Sequence, residues 1–208
     1  VQTHNDGKLD ALFNNGAYAL PGAVEDLKRS ALKEIFEINF FGHVDLMNTL
    51  LPSLKNSDDG RVINCSSVLG FAALPYRGAY NATKFAIEAI TDTIRREETA
   101  KKVKFILIEP GPIRTRIRQN SIYHFEKWID WENSDLKEHY KTHLFKRLYQ
   151  PNHETDLFEQ EPHHVTQKLL SALNSRRPKK RYYVTYPTYA ASFINRFLST
   201  NLQDSFFK

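Results

Sequence analysis

Only one cysteine occurs among the 208 residues, so the chain cannot close an internal disulfide. Cys65 lies inside the apolar run RVINCSS, which is typical of a small buried side chain. We therefore expect a reducing, cytoplasmic setting. No window contains the roughly eighteen unbroken apolar residues that a membrane span needs, so we expect a soluble protein with no membrane span.

Basic residues outnumber acidic ones, which gives a formal net charge of +5 and raises the question of a nucleic-acid partner. The most basic segment is RRPKKR at 176–181. That segment is short, contains a proline, and lacks the interleaved aromatic residues or the binding module of a nucleic-acid surface. We therefore interpret it as a solvated loop and predict no nucleic-acid partner.

Short apolar runs alternate with longer segments of helical periodicity along the chain. They predict strands at 8–14, 60–66 and 102–111, and long helices at 30–54 and 80–98. Strands that are apolar on both faces and alternate with helices are typical of a parallel sheet covered on both sides. The predicted fold class is therefore α/β, with a doubly wound parallel sheet. The remaining predicted elements are a helix at 162–173, a strand at 181–185 and an amphipathic tail at 189–207.

Polar or turn-forming residues follow each of the first three predicted strands. They are Asn14 after the first strand, Ser66 and Ser67 after the second, and Pro110 and Gly111 after the third. The carboxyl ends of parallel strands share one edge of the sheet, and ligands of such sheets bind beyond that edge. We therefore expect the functional residues to converge there.

A tyrosine and a lysine stand four residues apart in the helical segment after the second strand. This spacing places Tyr80 and Lys84 on one helix face, where an ammonium group lowers a tyrosine pKa from its usual value of about 10. A tyrosine tuned in this way can exchange a proton with an alcohol or carbonyl oxygen. Ser67 can donate a hydrogen bond to the same oxygen as charge develops on it. The three side chains therefore indicate chemistry between alcohols and carbonyl compounds.

Four motifs stand in the order that a known enzyme family has them. SSVLG and YNATK, with Tyr80 thirteen positions after Ser67, resemble the Ser…Tyr-x-x-x-Lys signature of the short-chain dehydrogenase/reductase family. NFFG at 39–42 is similar to the family's helix asparagine motif, and PGPIRT at 110–115 is similar to its PGxIxT motif. The resemblance is close from about residue 8 to residue 115. The motif sequences are most similar to those of the steroid/retinol dehydrogenase-like branch.

The resemblance implies a role for each matched residue. Tyr80 would be the catalytic acid/base, and Ser67 would orient and polarise the substrate oxygen. Lys84 would tune Tyr80 and hold the nicotinamide ribose, and Asn39 would hold a water in a proton relay that leads from Lys84. The implied cofactor is NAD or NADP. The implied cofactor-binding residues are Asn14, Tyr80, Lys84, Pro110, Gly111, Ile113 and Thr115.

The predicted function is the interconversion of a secondary alcohol and a ketone or aldehyde by hydride transfer, with a small apolar substrate. The resemblance also implies a homo-oligomer that pairs its two long helices between subunits. The alternative function comes from another class. It is a non-catalytic remnant or fragment of such an enzyme, which associates but does not bind cofactor.

The sequence departs from the family pattern at two places. The family usually reads Asn-Asn-Ala-Gly where this chain reads Asn14-Asn15-Gly16-Ala17, which moves the residue that adopts positive φ most easily. The glycine-rich turn that seats a pyrophosphate on a helix N-terminus has no counterpart in these 208 residues. We therefore expect a single, incomplete nucleotide-binding and catalytic domain over 1–208, without the family's first strands.

The segment 116–160 is rich in aromatic and charged residues and is longer than an ordinary connection, which predicts an insert. We favour a substrate lid, and a surface helical insert is the alternative. Its aromatic residues line an apolar pocket in the first case or pack against the sheet in the second. His139 and His143 could share a metal, but no third ligand stands at a suitable spacing, so we predict a surface pair. The aromatic residues concerned are Tyr123, Phe125, Trp128 and Trp131.

Overall fold

Four parallel strands form one sheet in the computed structural model, which describes residues 5–149 and 158–207. Their spatial order follows their order along the chain. The register places Asn14 beside Asn64 and Cys65 beside Ile108, so the carboxyl ends of the first three strands lie together. The predicted α/β class with a parallel sheet is therefore confirmed. The strands are β1 (Ala11–Asn14), β2 (Arg61–Cys65), β3 (Lys104–Glu109) and β4 (Arg181–Tyr183).

Helices cover both faces of this sheet. Leu12, Val62 and Phe105 pack on one face in a cluster that also contains residues of α2 (Gly42–Lys55) and α3 (Gly78–Ile94). The next residues along the strands, such as Ile63 and Ile106, pack on the other face against α7 (His163–Asn174). Successive strand residues point to opposite faces, so strands buried on both sides read as continuous apolar runs.

The long helix predicted at 30–54 is present with one irregularity. It runs from α1 (Arg29–Phe36) through a single π-helical stretch, Glu37–Phe41, into α2. A π turn holds one more residue than an α turn and is frequent at functional sites. This one contains Asn39, which is fully buried.

The predicted insert packs onto the body of the protein. It contains α4 (Ile117–Trp128), α5 (Lys137–His139), a π stretch at Tyr140–Leu144 and α6 (Phe145–Leu148), and its residues 150–157 lie outside the described part. Phe125 and Tyr140 are fully buried in the cluster that also contains Tyr80. Trp128 and Trp131 pack against that cluster half-buried, whereas Tyr123 is exposed. Most of the insert's aromatic residues are therefore packing residues in this structure.

The C-terminal elements follow the predicted order. α7 begins directly after Pro162, β4 joins the sheet beside β3, and α8 (Tyr186–Phe197) and α9 (Thr200–Phe207) form the tail. Within residues 5–149 and 158–207, no helix has the length and apolar character that crossing a membrane requires.

Candidate active site

Ser67, Tyr80 and Lys84 come together beyond the carboxyl end of β2. The Lys84 Nζ atom lies 5.6 Å from the centre of the Tyr80 ring and donates a hydrogen bond to the Cys65 carbonyl oxygen at 2.8 Å. The Ser67 hydroxyl lies close enough to the Tyr80 side chain to lower the pKa of Tyr80. The structure therefore brings the three predicted catalytic side chains into one group, which we call the triad.

Backbone hydrogen bonds fix the loop that carries Ser67. The Ser66 N–H donates to the Ile108 carbonyl at 2.8 Å, and the Val68 N–H donates to the Pro110 carbonyl at 2.7 Å. The segments after β2 and β3 therefore stay paired beyond the strands, which holds Pro110 next to the triad. The Ser67 Oγ atom accepts the Leu69 N–H at 3.1 Å, so this part of the backbone also orients the serine hydroxyl.

Burial dominates the electrostatics of the triad. It raises the pKa of Tyr80 above its ordinary value, and the nearby Ser67 hydroxyl opposes that effect. Burial also lowers the pKa of Lys84, while nearby Cys65 and Glu88 oppose this. Both shifts favour neutral side chains, as expected where water is excluded. The pKa of Tyr80 therefore moves upward here, opposite to the effect expected from Lys84 alone.

The triad is largely buried, and the insert packs in the same cluster as Tyr80. Tyr80 and Ser67 each keep 9% of their surface exposed, and Lys84 keeps 2%. Tyr80 belongs to an apolar cluster with Phe125 and Tyr140 of the insert. A cavity of about 470 Å³ opens elsewhere, beside α7 and the start of α8, and no triad residue lines it.

Asn39 fastens the loop after β1 to the two long helices. Its side-chain amide donates to the Tyr18 carbonyl at 2.9 Å and to the Thr83 hydroxyl at 3.3 Å, and its Oδ1 atom accepts the Tyr18 N–H at 3.0 Å. Both ends of the amide are therefore engaged with protein groups. The role of Asn39 in a proton relay remains a prediction, and the structure adds a loop-holding role.

Asn14 ends β1 inside a chain of buried hydrogen bonds. Its amide donates to Asn64 Oδ1 at 2.9 Å, and the Asn64 amide donates to the Thr91 hydroxyl at 2.9 Å. The Asn14 Oδ1 atom is buried and has no hydrogen-bond partner within the described residues. This leaves one acceptor unused at the edge where a ligand is expected.

The glycine of the Asn14-Asn15-Gly16-Ala17 loop needs no special backbone conformation. Gly16 is not among the glycines with positive φ, and a Cβ there would meet no atom within 4 Å. Its carbonyl accepts a hydrogen bond at 2.7 Å from Nε2 of His43, a buried residue that sequence reasoning missed. The departure from the family's usual sequence therefore places no backbone strain on this loop.

The structure separates the residues of the PGPIRT motif. Gly111 packs so closely on two fully buried threonines that an added Cβ would lie 2.1 Å from Thr185 Oγ1. Ile113 packs half-buried on the α7 side of the sheet. Thr115 is exposed and accepts the Ile117 N–H at 3.3 Å at the start of α4. Among the described residues, no hydrogen bond or ion pair joins Ile113 or Thr115 to the triad, so their cofactor contacts remain predictions.

A partly buried charge cluster next to the triad was not predicted. Arg181 contacts Glu88 and Glu109, and its Nη2 atom binds both carboxylate oxygens of Asp92 at 2.8 and 2.7 Å. The interpretation of 176–181 as a solvated loop is therefore wrong for Arg181, because β4 directs it towards α3. A signal for Glu88 was present, since it follows Lys84 by the same four residues that separate Lys84 from Tyr80.

Comparison with known proteins identifies the family. A family model described as short chain dehydrogenase matches residues 1–124, more than half of the chain. The chain belongs to the short-chain dehydrogenase family. This confirms the resemblance found in the sequence motifs, and the enzyme class, a dehydrogenase/reductase, is confirmed with it.

Two curated relatives of this short-chain dehydrogenase extend the match beyond residue 124. The uncharacterized oxidoreductase YbbO of Escherichia coli K12 is 34% identical over 199 residues, which cover 96% of this chain and 67% of the relative. Human retinol dehydrogenase 8 is 30% identical over 178 residues, which cover 84% of this chain and 56% of the relative. The chain therefore spans between about half and two thirds of the length of these relatives.

Solved structures of similar fold support the architecture. A short chain dehydrogenase from Burkholderia cenocepacia in complex with NADP superposes with a TM-score of 0.71 at 20% identity, covering 97% of this chain and 70% of that one. A short-chain dehydrogenase/reductase from Burkholderia phymatum in complex with NAD superposes with a TM-score of 0.70 at 21% identity, covering 95% and 68%. At these identities the likeness supports the fold alone.

Proposed function

We propose that this short-chain dehydrogenase interconverts a secondary alcohol and a ketone or aldehyde with NAD or NADP, and that Tyr80 is the acid/base. The observation that carries the proposal is the meeting of Ser67, Tyr80 and Lys84 beyond the carboxyl edge of a parallel sheet. Ligands of such sheets bind at that edge. The three side chains supply a proton, a cation and a hydrogen-bond donor at one place.

Each triad residue has a defined task in the proposed reaction. In reduction, the Tyr80 hydroxyl gives its proton to the carbonyl oxygen as negative charge develops there, and the Ser67 hydroxyl donates a hydrogen bond to the same oxygen. The Lys84 ammonium, one helical turn away, stabilises the phenolate that remains on Tyr80. The nicotinamide supplies or accepts the hydride when it is bound. Oxidation uses the same groups with the proton returning to Tyr80.

The residues at the sheet edge fit a cofactor. Asn14 offers a buried acceptor that no described residue uses, and Lys84 has only one of its three N–H groups committed, to Cys65. We propose that Asn14, Tyr80 and Lys84 hold the nicotinamide ribose side, as the motif match implies. Structures of similar fold hold NADP in one case and NAD in another, which supports this cofactor class without choosing between its members.

We propose an apolar substrate. Tyr80 belongs to the same apolar cluster as Leu20, Phe125 and Ile129, so a molecule that reaches its hydroxyl meets apolar walls. Similarity to human retinol dehydrogenase 8 supports the same substrate class. We also propose the reducing, cytoplasmic setting that the single cysteine suggests, and the free thiol of Cys65 is buried.

We propose a homo-oligomer that pairs the long helices. Phe41, Leu46 and Phe85 lie on the two helical segments and expose 46%, 45% and 42% of their surface. Exposed apolar side chains that lie together are typical of a protein interface, and these three are the candidates on the long helices. Light scattering should give a multiple of the 24.2 kDa chain mass for the wild type, and Phe85→Glu should lower that mass.

The reaction is tested by assaying apolar secondary alcohols and their ketones with NAD and with NADP. Ser67→Ala should lower kcat by about a hundredfold or more, because it removes one donor to the developing oxyanion. Ser171→Ala is the matched control, since the Ser171 hydroxyl is exposed and bonds only to its own helix. Equal rates for the two variants would contradict the proposed role. Saturable cofactor binding would exclude the non-catalytic alternative, and absence of binding would favour it.

A further inference from the structure

One face of α3 carries ionisable side chains in a row. Tyr80, Lys84 and Glu88 follow one another at four-residue steps, and all three are buried. Four residues make slightly more than one helical turn, so these side chains lie one above another. The row leads from the triad to a carboxylate that has no part in the proposed reaction.

A second buried carboxylate faces Glu88 from the sheet. Glu109 ends β3, is fully buried, and lies close enough to Glu88 for the two charges to interact. A single nitrogen atom of Arg181, Nη1, contacts one oxygen of each carboxyl group. One half-buried guanidinium group therefore draws two buried carboxyl groups together.

The other oxygen of each carboxyl group is left unused. Glu88 Oε1 and Glu109 Oε2 are buried and have no hydrogen-bond partner within the described residues. Ser66 Oγ also has none there, and a Cβ on Gly70 would lie 2.5 Å from it and 3.2 Å from Glu88 Oε1. Two adjacent buried carboxylates with unused oxygens cannot both stay ionised without a large repulsion, and one shared proton removes that repulsion.

While Lys84 is neutral, the charges around the pair balance when the two carboxyl groups hold one proton. Asp92 and Arg95 of α3 complete the cluster. Its three carboxyl groups therefore face two guanidinium groups. With one shared proton the cluster holds two negative and two positive charges. When the proton leaves, one negative charge is in excess, and Lys84 lies one turn away to compensate it. The Cys65 thiol faces Lys84 from β2, and Arg96 lies beyond Arg95.

We propose that Glu88 and Glu109 share one proton and that this pair, bridged by Arg181, sets the protonation state of Lys84. Loss of the shared proton stabilises the Lys84 ammonium, which in turn stabilises the Tyr80 phenolate. The pair therefore couples the acid/base residue to a proton site in the interior of the sheet. Glu88, Glu109 and Arg181 are positioning residues, and their link to catalysis rests on the proposed function.

The charge of Lys84 can be followed without turnover. Carbon-13 spectra of lysine-labelled protein, with the Lys84 signal assigned by Lys84→Arg, give its titration midpoint. Glu88→Gln and Glu109→Gln should each lower that midpoint by about one pH unit or more, because each removes the charge that compensates the ammonium. Glu98→Gln is the control, because the Glu98 side chain is 85% exposed. This substitution should leave the Lys84 midpoint unchanged.

The shared proton is tested on the wild type, so that misfolding of a variant cannot hide the result. Infrared spectra should show a protonated carboxyl band at neutral pH that disappears at alkaline pH. Absence of that band at neutral pH, or an unchanged Lys84 midpoint in both folded glutamine variants, would overturn the proposal. If these spectra behave as expected while Tyr80→Phe keeps full activity, the proposed function fails and the coupling remains.

Discussion

Removal of one hydroxyl group tests how the insert is attached to the body. Tyr140 is fully buried, and its hydroxyl accepts the Ala23 N–H at 2.9 Å and donates to Asp26 Oδ2 at 2.5 Å. These two bonds join the insert to the segment that leads into α1. Tyr140→Phe removes both bonds and keeps the ring in place.

The expected loss of stability follows from the partners that remain. A hydrogen bond to a charged group is worth about 1.5–3 kcal/mol, and a buried N–H left without a partner costs about 1–3 kcal/mol. Asp26 keeps its bond from the Ser134 hydroxyl at 2.9 Å, so part of its loss is offset. We expect Tyr140→Phe to lower the free energy of unfolding by about 2–4 kcal/mol.

Urea unfolding measures this difference, and the chain provides a matched control. Tyr149 is also a tyrosine of the insert, but it is 40% exposed and its hydroxyl donates to Glu126 at 3.2 Å on the surface. Tyr149→Phe should change the free energy of unfolding by less than about 0.5 kcal/mol. Equal effects of the two substitutions would refute the view that Tyr140 fastens the insert to the body.

Three further predictions follow from the packing and the charges. Gly111→Ala should destabilise the protein by about 1–3 kcal/mol in urea unfolding, because the new Cβ meets Thr185. Gly16→Ala is the control and should be nearly neutral, because a Cβ there meets no atom within 4 Å. Burial raises the pKa of Glu109 to about 8. The contribution of this carboxyl group to the free energy of unfolding is therefore full below about pH 4.5 and is lost as the pH rises through 8. Stability should therefore fall between pH 6 and 9, and Glu109→Gln should flatten the measured profile. Since burial raises the pKa of Tyr80, kcat/KM for oxidation should rise with pH through the neutral range, and a plateau below pH 7 would contradict that direction.

The sequence alone predicted the parallel sheet and the three residues of the triad. Apolar runs predicted the ends of β1, β2 and β3 to within three residues, because strands buried on both faces need continuous apolar side chains. Ser67 and the Tyr80–Lys84 pair were predicted from spacing, which a helix and the end of a strand translate directly into position. The π stretch at Glu37–Phe41 was not predicted, since one extra residue in a turn leaves the apolar pattern of a long helix almost unchanged.

Contacts between distant parts of the chain account for what the sequence did not reveal. Arg181 lies in a basic run that reads as solvated, and only its strand position beside β3 brings it to Glu109, 72 residues away. The direction in which the Tyr80 pKa shifts depends on how deeply the ring is buried in the cluster that it shares with the insert. The spacing of residues along the sequence does not reveal that burial. Tyr140 carries no motif, and its role follows only from the hydrogen bonds to Ala23 and Asp26.

The central claim is that Tyr80 moves the proton in the reaction. Single-turnover hydride transfer, followed by nicotinamide absorbance with saturating cofactor and an apolar secondary alcohol, tests it most directly. Tyr80→Phe should slow that step by about a hundredfold or more, since general acid–base catalysis contributes at least that much. Saturating cofactor offsets the loss of affinity expected from the missing Tyr80 hydroxyl, and the exposed Tyr186→Phe should react like the wild type. A Tyr80→Phe protein that binds cofactor and transfers hydride at the wild-type rate would contradict the account.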